Sequence, residues 1–240
     1  MGAIDHLTRD EIAQRLSGDK RAALIRDGAE AGVAEAQLVW GQMLLDGAGV
    51  RQDRAAAFAW FNRAAAQRHA MALNMVGRCY DLGWGVDVDQ ARAAACFRSA
   101  ADAGLVEAMY NYATALALGA GVAVDRAGAL GWFRRAAALG YAKAMNHLGS
   151  FHEDGWATPR DMDEAARWYA RAAEGGDFRG AFNHARMLIE AGERADALAW
   201  IERAGAWGNA GFRDKARAWL RASALGADGV FALDRGAAAC

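Results

Sequence analysis

The side chains that could engage a ligand recur along this chain at fixed intervals. Asn74, Tyr110 and Asn146 stand 36 residues apart, and Asn183 follows 37 later. An asparagine amide offers two donors and one acceptor, so a row of them can hold the backbone of an extended peptide without selecting its side chains. Turn capping and plain solvation are the other roles open to these amides. His147 and His184 each follow one of the asparagines directly, and read as polar groups at one shared repeat position. Trp84 and Trp156 lie 72 residues apart in glycine-rich turns, where polar residues are the rule. An indole buries a large area with few rotatable bonds and is enriched at interfaces. Packing back over the neighbouring turn is the alternative use.

Bond-making chemistry has much less to work with. The serines are Ser17, Ser99, Ser150 and Ser223, and none lies in a Gly-x-Ser-x-Gly elbow. No phosphate-binding loop or dinucleotide fingerprint is present. His147 and His152 are five apart, which does not place two ligands on one helix face, and HExxH is absent. Cys79 and Cys96 read as a buried reduced pair. Glu153 and Asp154 sit next to a turn, where solvated charge is the default. The expectation is therefore a chain that is not an enzyme and needs no cofactor or metal.

A strict period positions these residues. Asp53, Asp89, Asp125 and Asp161 are spaced 36 apart, as are Trp60, Cys96, Trp132 and Trp168, each followed by an aromatic residue. A period of this length marks a stacked array of small supersecondary units. One proline in 240 residues, abundant alanine and few β-branched residues favour helix over sheet. In the stretch Ala108 to Tyr141, an apolar first helix runs to Leu118, and Gly119-Ala120-Gly121-Val122 turns the chain. Asp125 then caps a second helix, whose Leu130, Phe133, Ala136 and Ala137 form one apolar stripe. First helices are expected to begin near Ala36, Ala72, Ala108, Ala144 and Ala181. Gly41, Gly77 and Gly149 share a small-residue position that Ala113 takes in the third repeat and Arg186 in the fifth. The fifth repeat is shortened, with Trp200 only 32 residues after Trp168.

The ends depart from the period, as the ends of a stack should. The reading assigns 1–33 to N-terminal capping helices, with Thr8 and Glu11 as a capping box. It assigns 34–208 to about five repeats and 209–240 to a C-terminal capping helix and tail. Within that last part, Ala218 to Gly226 reads as one more second helix, and Ala227 to Cys240 as a stretch that loses the pattern.

The string A-x4-G, G-x-G-V, Asp, Trp-aromatic, Ala-Ala at 36 residues resembles the Sel1-like repeat, a relative of the tetratricopeptide repeat. The resemblance covers about Leu24 to Gly208. It implies an all-α fold, an α/α solenoid (right-handed superhelix) of stacked helix-turn-helix repeats whose first helices line a concave groove. It also implies a scaffold or adaptor that binds a protein or peptide there. Cysteine-rich relatives, secreted and disulfide-bonded, have been linked to β-lactams, so a small-molecule binder or a β-lactamase-like hydrolase is the second reading. A dedicated inhibitor or chaperone of one partner is the third. The three cysteines here do not recur from repeat to repeat, and no secretory signal opens the chain. A reducing, cytoplasmic setting is expected. The net charge of −1, with both signs interspersed, gives no reason to expect nucleic acid, and no apolar run suits a membrane span. The irregular end repeats leave self-association open.

Overall fold

The structure, a computed structural model, describes residues 19–238. Thirteen helices and no strand occur among the described residues. They are α1 (Asp19–Glu30), α2 (Ala34–Asp46), α3 (Arg54–Ala66), α4 (Ala70–Leu82), α5 (Gln90–Asp102), α6 (Val106–Leu118) and α7 (Arg126–Ala138). There follow α8 (Ala142–Asp154), α9 (Met162–Glu174), α10 (Phe178–Glu190), α11 (Arg194–Trp207), α12 (Ala210–Ala222) and α13 (Gly226–Ala238). The capping box at Thr8 and Glu11 lies outside the described residues.

Local chemistry fixes the helix ends. Asp53, Asp89, Asp125 and Asp161 each accept a hydrogen bond from a backbone N–H three residues on, at 2.8–2.9 Å. This satisfies a first-turn donor that has no partner within the helix. The backbone N–H of each aspartate donates to a carbonyl near the end of the preceding first helix, as in Asp89 to Tyr80 at 3.0 Å. One residue thus closes the turn and opens the next helix. The first helices α2, α4, α6 and α8 all end on a left-handed glycine, from Gly47 to Gly155.

The chain divides into two compact units. The N-terminal unit runs through Ala115 together with Gly119–Ala123, and the C-terminal unit comprises Leu116–Leu118 with Val124 onward. In the N-terminal unit Leu44, Leu45, Phe61, Met75, Val76 and Cys79 form a buried cluster, with Trp60, Trp84 and Cys96 packed against it. The small-residue position explains itself here. A methyl group at Gly41 would stand 2.7 Å from the Phe61 ring, and one at Gly77 2.6 Å from Phe97. First and second helices approach closely because the ring of one fills the gap that glycine leaves in the other.

In the C-terminal unit Gly149 plays this part toward Tyr169, where an added methyl would lie 2.4 Å from the ring. Farther along, Phe182, Ala185, Ile201, Leu220, Leu225 and Leu233 share one core cluster. Helices α11 and α13 cross tightly: a methyl at Gly205 would fall 2.1 Å from the Leu233 carbonyl oxygen.

Three sequence expectations are corrected. Helix α10 starts at Phe178, 36 residues after Ala142, so the period does not slip to 37. Ala185, fully buried, therefore takes the small position of Gly149, and Arg186 lies one residue beyond it. Asn183 accordingly falls in register with His147 rather than with Asn146, and His147 and His184 are not equivalent. At the C-terminal end, Ala218 to Ala222 is the last part of α12, which follows the second helix α11. The stretch expected to lose its pattern forms α13, whose Ala232 and Leu233 are buried. Residues without the aspartate and aromatic landmarks still bury an apolar stripe, and burial determines whether they fold as helix.

Candidate functional site on the first helices

In the C-terminal unit one chain of polar contacts links three helices. Asn183 of α10 donates from Nδ2 to Asn146 Oδ1 of α8 at 2.9 Å. Arg186 donates through Nη1 to Asn183 Oδ1 at 3.1 Å and through Nη2 to Glu153 Oε1 at 2.7 Å. Tyr169 of α9 donates its hydroxyl to Glu153 Oε2 at 2.6 Å and lies 3.2 Å from Ser150 Oγ. Asn146, Ser150 and Glu153 fall at i, i+4 and i+7, so helical geometry alone puts them on one stripe of α8.

The charges in this chain hold one another. Burial pushes the Glu153 carboxyl up, but the hydrogen bonds from Arg186 and Tyr169 outweigh it and leave the group below its ordinary value. Burial works against the Arg186 cation, and the Glu153 carboxylate more than restores it. Burial, and then the Glu153 hydrogen bond, push the Tyr169 hydroxyl up. The arrangement is a paired, mostly satisfied network with no nucleophile beside a base. Next to it stands Trp219 of α12, 39% exposed. Its ring meets Phe182 edge-on at 5.5 Å and has the Arg186 guanidinium 5.8 Å away.

The N-terminal unit repeats the amide rung. Asn111 of α6 donates from Nδ2 to Asn74 Oδ1 of α4 at 2.9 Å. Both rungs join a residue to the one 37 farther on, so each crosses from one first helix to the next. Tyr110 is partly buried beside Asn111, and its carbonyl accepts from the Thr114 hydroxyl. An apolar cavity of about 330 Å³ opens on α2 and α4, lined among others by Leu38, Met43, Met71 and Met75.

The other residues singled out from sequence engage second helices or turns. His147 lies flat on Phe133 of α7, with ring centroids 4.8 Å apart. Burial, helped by the charge of Arg179, lowers its pKa to about 4. His184 meets the Trp200 ring of α11 edge-on at 5.5 Å. Its Nδ1 and that of His152 are buried without a hydrogen-bond partner. Trp84 is partly buried under the Arg78 guanidinium at 4.8 Å, and Trp156 is held between Arg126 at 4.4 Å and Phe151. Each indole thus has packing partners of its own. Burial raises the Cys79 thiol to about 11 and also pushes Cys96 up, so both favour the protonated form.

The structure brings together Asn146 and Asn183, and pairs Asn74 with Asn111. Sequence reasoning missed Asn111, Arg186, Glu153, Tyr169 and Trp219 as members of this face. The 72-residue interval from Asn111 to Asn183, matching that from Asn74 to Asn146, was the available signal. Among the described residues no group of three or more His, Cys, Asp or Glu side chains is arranged to hold a metal ion, and no helix is long and apolar enough to cross a membrane.

Comparison with known proteins agrees with this architecture. A family model described as the Sel1 repeat matches residues 34–69, 70–105, 106–141 and 142–177. The first helix and second helix of one pair fall inside each of these four segments. A protective antigen of uropathogenic Escherichia coli with an SLR fold superposes with TM-score 0.71 at 26% identity, covering 93% of this chain and 50% of that one. A Sel1 repeat protein from Oxalobacter formigenes superposes with TM-score 0.72 at 27% identity, over 85% of this chain and 60% of that one. The chain therefore spans only about half to three fifths of these two proteins. An immunity protein from Pseudomonas aeruginosa, 16% identical with TM-score 0.53 over 89% of this chain and 71% of its own, shares the fold alone. No curated protein matches the chain.

Proposed function

We propose that this chain, which belongs to the Sel1 repeat family, is a non-catalytic interaction scaffold that holds a peptide or extended segment of a partner protein on its first helices. The C-terminal unit offers the main contact face. The observation that carries this reading is Trp219, a large indole left 39% exposed beside the Arg186, Asn183 and Asn146 chain. Apolar area next to ordered donors and acceptors is what a binding face needs, and tryptophan and arginine are the residues whose loss most often costs affinity there. Asn74, Asn111 and Tyr110 form the matching surface of the N-terminal unit.

The amides act differently from a row of free side chains. Each rung spends one donor and one acceptor on its neighbour and keeps the rest for a ligand. Mutual bonding fixes the amide planes before binding, which lowers the entropy lost when a partner docks. His147, His184, Trp84 and Trp156 support this face from behind through their aromatic contacts.

The test is affinity capture with the intact chain, followed by measured binding of the recovered partner. Trp219→Ala is expected to weaken that binding tenfold or more, on the order of 1–2 kcal/mol or above. Asn146→Ala with Asn183→Ala is expected to weaken it as well while leaving helicity by circular dichroism unchanged. Retention of full affinity by both variants would refute the assignment of this face.

A further inference from the structure

The C-terminal unit also holds a cavity of about 290 Å³ lined by Arg179, Asn209, Gly211, Phe212 and Lys215. Neither Arg179 nor Lys215 has an ion pair or a side-chain hydrogen bond among the described residues, although Arg186, Arg194, Arg217 and Arg235 of the same unit each have a carboxylate partner. The carboxylates nearby in sequence are committed elsewhere. Asp177 is buried and accepts from the Gly180 N–H at 2.7 Å, capping its own helix, and Asp214 pairs with Arg217 at 2.9 Å. Asn209 Oδ1 accepts from the Phe212 N–H at 2.9 Å. Two cations therefore face one cavity without a counter-ion.

The wall of the cavity is aromatic. Phe212 meets Phe178 at 4.8 Å and Phe182 at 5.7 Å, and Phe182 meets the exposed Trp219. Arg179 itself lies over Phe178, 4.5 Å from the ring centroid, which holds the guanidinium plane while leaving N–H groups free to donate. On α10, Arg179, Asn183 and Arg186 stand at i, i+4 and i+7, so the cavity belongs to the same stripe as the polar chain.

We infer that this cavity receives an oxyanion borne by the partner's polypeptide, a carboxylate or a phosphate group, with an adjacent apolar side chain of the partner seated between Phe212 and Trp219. This deepens the reading of the first-helix face and rests on it for the apolar half of the contact. An oxyanion supplies the acceptors that a guanidinium and an ammonium lack, and such charge-assisted bonds are about twice as strong as neutral ones. A nucleic acid is disfavoured because Glu153, Asp154 and Glu190 lie on the far turns of α8 and α10, where a continuous phosphate backbone would meet them.

The experiment uses the full chain and fluorescein-labelled dodecapeptides that alternate Glu with Phe, a Gln-for-Glu version, and a version with phosphoserine in place of two Glu. The acidic peptides are expected to bind and the Gln peptide to bind at least tenfold more weakly, as expected for charge-assisted bonds. Arg179→Gln with Lys215→Gln should remove that preference, Arg179→Lys should keep part of it, and Arg134→Gln, an exposed arginine on the second helix α7, should change nothing. Tighter binding of the phosphoserine peptide identifies phosphate as the natural source, and tighter binding of the Glu peptide identifies carboxylate. Equal affinity for acidic and Gln peptides, indifference to the double substitution, or an oligonucleotide outcompeting both peptides overturns the inference. Loss of the acidic preference in the double variant, with Trp219→Ala and Asn146→Ala/Asn183→Ala still binding normally, would sustain the anion site and remove the wider face. The reverse pattern would sustain the face and remove the anion site.

Discussion

At the residue scale, the clearest departures from the repeat are two non-glycine residues with positive φ, Arg68 at 61° and Ala157 at 54°. Later repeats place Gly104, Gly140 and Gly176 at the position of Arg68, with open space where a side chain would begin. A side chain at positive φ costs roughly 1–2 kcal/mol, partly offset by the greater freedom of glycine in the unfolded chain. Arg68→Gly is therefore expected to stabilise the protein by about 0.5–1 kcal/mol in urea unfolding, and a destabilised variant would contradict the repeat alignment. His147 gives a pH prediction. Its pKa is about 4 when folded against an ordinary 6.5, so between those values the unfolded chain takes up a proton that the folded chain refuses. Stability should fall as pH drops from 6.5 toward 4, by at most about 1.4 kcal/mol per pH unit, and the effect should level off below. His147→Phe should flatten that part of the unfolding profile. Identical pH slopes in the two proteins would show that another group is responsible.

At the scale of the helix pair, two devices repeat: an aspartate that caps the second helix and a small residue that admits its ring. Asp125 accepts from Gly128 N at 2.8 Å, and Asp125→Ala should cost about 1 kcal/mol while Asp125→Asn costs less. Both are read from equilibrium unfolding. Gly77→Ala places a methyl 2.6 Å from the Phe97 ring and should cost about 1–3 kcal/mol. Adding Phe97→Leu should recover part of that loss, because the two positions share one volume. Simple additivity of the two changes would mean that the ring moves aside freely. The helix pairs were legible from the chain because both devices are local and recur on a 36-residue clock. The register of α10 was not: Ala181, Asn183 and His184 imitate Ala144, Asn146 and His147 at 37 residues. Only the start of the helix at Phe178 and the burial of Ala185 resolve which alignment the chain adopts.

At the scale of the whole molecule, the end of the chain completes the C-terminal unit. Helix α13 contributes buried Ala232 and Leu233 to the cluster that contains Ile201 and Leu220. Truncation after Ser223 would expose that cluster, and the C-terminal unit should lose its cooperative thermal transition. A shortened chain that melts as sharply as the intact one would show that α13 is dispensable. The sequence by itself determined the family, the all-α class, the helix caps and the close-packed small positions, because those depend on residues within one 36-residue period. The tertiary structure decided which amides meet. Asn74 bonds Asn111, and Asn146 bonds Asn183, because neighbouring first helices pack with an offset of one residue beyond the period. It also decided that Arg186 joins Glu153 and Tyr169, and that Arg179 and Lys215 share a cavity without a counter-ion. Pairings between helices depend on packing distance and rotation, which no repeat length encodes.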